Sequence, residues 1–94
     1  MSIVKKAKLT KVINVTDRDI ELGVPREDGA CPVARAVARS FKKKIGTFSV
    51  AGDISRELHG EYLTLCFVPK EARNFIKRFD NDRGVAPFSF VIEY

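Results

Sequence analysis

Tryptophan is absent from these 94 residues, and histidine and methionine occur once each. Two cysteines, Cys31 and Cys66, and the lone His59 supply fewer ligands than a structural zinc site uses, so no metal or other cofactor is expected. No apolar run approaches the ~20 residues of a membrane-crossing helix. Met1–Lys11 carries lysines without the ~7–15 apolar residues of a secretory leader behind them. The expectation is a cytoplasmic chain with reduced thiols and no membrane partner. Phosphate-loop patterns are missing too: there is no Gly-x-x-x-x-Gly-Lys and no Gly-x-Gly-x-x-Gly. His59 next to Gly60 sits in an expected turn, and no third group can be named to orient a Cys–His pair, so catalysis is not expected.

Apolar residues make up 45% of the chain and charged residues 31%, an ordinary globular balance. The length allows one domain, residues 1–94. Seventeen Lys and Arg against 12 Asp and Glu leave a net charge of +5. That excess favours acidic partners such as nucleic acid, a nucleotide or an acidic protein surface, but only modestly. Lys5, Lys6 and Lys8 form a basic lead-in.

Alternation over Lys8–Val15 predicts a first strand. Thr16 as a cap, acids in the next turn and Gly23 as a stop predict one short helical turn over Asp17–Leu22. Val24–Ala30 reads as a loop. Pro32–Lys44 reads as the first full helix, with Val33, Val37 and Phe41 on its core side and Gly46 ending it. Strands are expected at Thr47–Ala51 and Glu61–Val68, as a hairpin with an irregular middle around Ile54–Leu58. Pro69–Phe79 carries a helical stripe of Ala72, Phe75, Ile76 and Phe79. Phe88, Phe90 and Ile92 alternate in a last strand. The fold class is α+β: an antiparallel sheet of about four strands with two helices on one face. A ferredoxin-like βαββαβ arrangement is the leading topology.

Three constellations bear on function. Arg35, Arg39, Lys42 and Lys43 share a helical side, and Arg35 through Lys44 holds no acid. Such a stripe suits phosphates; the plainer alternative is a solvated face. At the helix entrance, Cys31 follows Asp28-Gly29, and Arg26 lies within reach of the same place. A helix start attracts anions and activates a thiol; the plainer alternative is a turn followed by a small buried residue. The third is Lys70, Arg73, Lys77, Arg78 and Arg83, among which Glu71, Asp80 and Asp82 interleave, so it reads as a solvated face. The aromatic and glycine patterns of RRM and KH modules are missing.

Asp19-Ile20, Gly23, Asp28 and Cys31-Pro32-Val33-Ala34-x-Ala36 resemble a family of small proteins of unknown function encoded by phages and prophages. Pro69-x-Glu71-Ala72, Phe75-Ile76, Phe79-Asp80 and Pro87-Phe88 extend the resemblance, while 51–60 departs from it. The resemblance implies a phage accessory protein in a bacterial cytoplasm, acting by binding. Its target would be a host or defence protein, for example one it inhibits, or an anionic ligand such as a nucleotide. A nonspecific DNA- or RNA-binding protein is the alternative. Contact is expected through Arg26, Cys31, Arg35, Arg39, Lys42 and Lys43. An edge strand over Phe88–Tyr94 would allow a homodimer by pairing with a copy of itself.

Overall fold

Strand, short helix and long helix follow one another because the apolar period changes from two to about four after Val15. The computed structural model describes residues 9–94. Strand β1 runs Thr10–Val15 and buries Ile13 and Val15; the basic lead-in and Lys8 lie outside the described residues. Helix α1, Asp17–Leu22, starts at the expected cap: the Thr16 hydroxyl accepts from the Asp19 N–H, and the Asp19 carboxylate accepts from the Thr16 N–H.

Helix α2 spans Pro32–Ser40 and buries Val33, Ala34, Ala36, Val37 and Ala38. It stops four residues short of the expected Lys44. Lys42 takes a left-handed conformation (φ 57°), the Lys42 N–H donates to the Arg39 carbonyl, and the Lys43 N–H donates to the Ala38 carbonyl. This bond pair is a Schellman ending, with lysine where glycine is usual. Phe41 caps the helix and turns inward, stacking on Phe48 at 5.2 Å and meeting Tyr94 edge-on at 5.2 Å.

The region expected to be irregular is a strand, and its pairing with the next strand shifts register between Ile54 and Ser55. Strands β2 (Phe48–Val50), β3 (Asp53–Leu58) and β4 (Glu61–Phe67) form an antiparallel meander. His59 (φ 53°) and Gly60 (φ 84°) make the two-residue, left-handed turn that matches strand twist. Ile54 is the single apolar residue buried on β3, so the strand's alternation was faint in sequence. Helix α3 spans Lys70–Asp80, and β5 spans Phe88–Glu93.

The five strands form two antiparallel sheets rather than one sheet of four. β1 pairs with β5, from Thr10 opposite Glu93 to Val15 opposite Phe88. The ferredoxin-like arrangement is therefore not formed. The additional strand β3 lets 48–67 satisfy its own pairing and leaves β1 and β5 to each other. Helix α2 packs against both β1 and β2 and so bridges the sheets. Buried residues from both sheets, α2 and α3 join in one cluster.

Helix α1 docks on α2 where Gly23 meets Pro32. A Cβ on Gly23 would lie 2.6 Å from two Pro32 ring carbons and 2.7 Å from the Asp19 carbonyl. Gly23→Ala is expected to destabilise by about 1–3 kcal/mol through this overpacking. Gly52, with nothing near its absent Cβ, is the control: Gly52→Ala should leave the urea midpoint nearly unchanged.

Candidate functional site

The residues expected to meet an anion are largely occupied by the fold itself. Asp19 is fully buried, the one buried charged residue among those described. Arg39 sits on the opposing helix face and donates from Nη1 to Oδ1 at 2.6 Å and from Nη2 to Oδ2 at 2.8 Å. Its Nη2 also donates to the Asn14 carbonyl at 2.7 Å. The Thr16 N–H and hydroxyl donate to Oδ2 at 2.9 and 3.1 Å. Arg35 brings its buried Nε to 3.6 Å from Oδ1. Burial alone would push the Asp19 pKa up. Hydrogen bonds from Arg39 and Thr16, together with the Arg39 charge, outweigh burial and hold it below the ordinary 3.8. The same contact raises the Arg39 pKa.

The stripe is thus not a free cationic surface. Arg35 and Arg39 turn toward Asp19, while Lys42 and Lys43 are exposed beyond the helix end. Arg26 is also engaged: its N–H donates to the Asp80 carboxylate at 2.9 Å, and its Nη1 donates to the Asp80 carbonyl at 2.6 Å. These bonds tie the loop before α2 to the end of α3.

Cys31 caps α2, its Sγ accepting from the Ala34 N–H at 3.4 Å. It is buried, and burial pushes its thiol pKa up despite the hydrogen bonds at the helix start. The activated thiol is therefore not found; desolvation outweighs the helix terminus. Burial, with the nearby Asp53 charge, also raises the Cys66 pKa. Among the described residues, no three His, Cys, Asp or Glu side chains group as metal ligands, and no helix is long and apolar enough to cross a membrane.

Two clefts lie where sequence reading expected a self-pairing edge and a solvated face. One is a cleft of about 700 Å³ between the sheets, walled by Leu65–Pro69 and Val91–Tyr94. Phe67 is 83% exposed and Val91 53%, and Val12, opposite Val91 on β1, is 55% exposed. The other is a basic cleft along α3, lined by Asn74, Lys77, Arg78, Asn81 and Arg83. The i, i+3, i+4, i+7 spacing of its first four residues was the available signal. The interleaved acids masked it, yet none of them lines it.

No family model matches the sequence, and no curated protein or solved structure matches it.

A folded-state pKa below the unfolded value means that Asp19 stabilises above the usual carboxylate range, and that this contribution fades as pH falls through the folded value. Asp19→Asn should lower stability at neutral pH and flatten the acid limb of a stability–pH curve; an unchanged acid limb would contradict the assignment. Asp19→Ala should destabilise by about 2–3 kcal/mol, below the roughly 3–5 kcal/mol of a fully buried pair because Arg39 is half in water. Native Cys31 should resist iodoacetamide until the protein is denatured, and Cys66 should react first. Fast native labelling of Cys31 would restore a reactive-thiol role.

Proposed function

We propose that the protein acts by binding rather than catalysis, as a phage-type accessory protein in the bacterial cytoplasm whose target is a host or defence protein. The supporting observation is the cleft between β4 and β5. β4 ends one sheet and β5 ends the other, and the two strands touch without pairing. Leu9 and Tyr94 exchange both main-chain hydrogen bonds, at 3.0 and 2.9 Å. The antiparallel alternation therefore directs the Val91 main chain away from β1, toward the β4 side. Main-chain groups and apolar side chains on the same walls suit an extended segment of a partner protein, added as a strand. Monomers usually protect a strand edge with lysine, proline or a covering element. β4 carries no lysine or proline, and it exposes Tyr62, Leu63 and Phe67. Val91 of β5 lies on the wall of this cleft, so the expected self-pairing strand has β1 on one side and the cleft on the other.

A photoreactive phenylalanine analogue at Phe67 tests this in bacterial cells. The expected result is one discrete protein adduct, lost when Val91→Lys is added and absent when the analogue replaces Lys43. No adduct at Phe67, or an adduct with a second copy of the chain, overturns the host-protein reading.

A further inference from the structure

The basic cleft on α3 has a volume of about 770 Å³. Asn74, Lys77, Arg78 and Asn81 form one face of the helix. Arg83 joins them because Asp82, with φ 60°, turns the chain back, and the Arg83 N–H donates to the Arg78 carbonyl at 2.9 Å. The lining is three cations and two amides. None of the three cations has a carboxylate within ion-pair distance among the described residues. Asp80, their neighbour in sequence, is held by Arg26. Nε and Nη2 of Arg78 donate to the Gly84 carbonyl at 3.3 and 3.2 Å, which fixes the guanidinium while leaving further N–H groups to give. The negative end of a helix favours a cation or two in its last turn. That accounts for Lys77 and Arg78, but not for an arginine folded back beside them without a counter-charge.

A second groove, of about 680 Å³, adjoins the first and shares Asn74 and Arg78 with it. Its remaining walls are mainly apolar, with Phe75, Val85, Pro87 and Phe88, and Glu71 is its one acid. Phe75 and Phe88 stack at 4.8 Å beneath it. The lining suits one ligand that is anionic at one end and largely apolar, with a hydrogen-bond donor, at the other.

We propose that this double cleft binds a mononucleotide. The phosphate lies among Lys77, Arg78 and Arg83, where charge-assisted, forked hydrogen bonds are available. The base lies along Val85 and Pro87, and Glu71 accepts from a base N–H. The apolar groove favours a base-bearing ligand over inorganic phosphate. Cations gathered at one end of the double cleft favour a single nucleotide over a nucleic-acid strand. The site is separate from the β4–β5 cleft and does not depend on the protein-partner reading.

Calorimetric titration of the full chain tests the site, with the four common ribonucleoside monophosphates, inorganic phosphate, the unphosphorylated nucleosides and a single-stranded oligonucleotide as probes. At least one nucleotide should bind saturably, and about tenfold or more tightly than phosphate or its own nucleoside. Lys77→Glu with Arg83→Glu should weaken that binding at least about tenfold. Lys42→Glu with Lys43→Glu, an equal charge change elsewhere, should leave it unchanged; circular dichroism checks that both variants fold. Binding of phosphate as tight as that of any nucleotide overturns the base contact. The oligonucleotide binding tightest, with steep salt dependence and equal loss in both variants, overturns the site in favour of diffuse nucleic-acid attraction. No saturable nucleotide binding at millimolar concentration overturns it outright.

Discussion

A single buried carboxylate organises the molecule. Asp19 closes the cap of α1 through Thr16, and it receives Arg39 and Arg35 from α2. Arg39 in turn reaches the end of β1 at Asn14. Three consecutive elements therefore meet at one charge. Burying an ionised carboxylate costs several kcal/mol unless its oxygens are well supplied with donors. Here Oδ1 and Oδ2 are both supplied, so the site specifies one docking of α1 on α2 rather than merely adding stability. Since α2 bridges the two sheets, the placement of both follows from that joint.

Several residues between Asp19 and Ala36 gather at this joint. Asp19 is its charge, Gly23 its closest approach, and Cys31-Pro32 its second helix start. The Asp28 carbonyl accepts from the Val50 N–H at 2.9 Å and so ties the preceding loop to β2. Ala34 and Ala36 lie fully inside. These residues hold α1, α2 and β2 together, and the two proposed recognition surfaces lie elsewhere, at the β4–β5 cleft and on α3.

Much of the architecture was legible. The capping box at Thr16, the proline start of α2 and the apolar stripe of α3 are local signals, and each element formed within a residue or two of its expected start. The α+β class followed from them. What escaped were features set by distant contacts. β3 is central and largely polar, so its pairing on both sides left little alternation to read. The end of α2 depended on Lys42 accepting a conformation that glycine normally takes. The cationic stripe looked free because Asp19, its partner, stands twenty residues before Arg39 and belongs to another helix. On α3 the reverse held: acids adjacent in sequence suggested neutralisation, and the fold turned Asp80 toward Arg26 instead.

The pairing of β1 with β5 joins Leu9 to Tyr94, whereas β2, β3 and β4 are sequence neighbours. Closing so long a loop costs more entropy than closing the short turns of the meander. During synthesis, β1 waits unpaired until β5 has left the ribosome. The β4–β5 cleft, walled in part by Val91–Tyr94, exists only once β5 is in place.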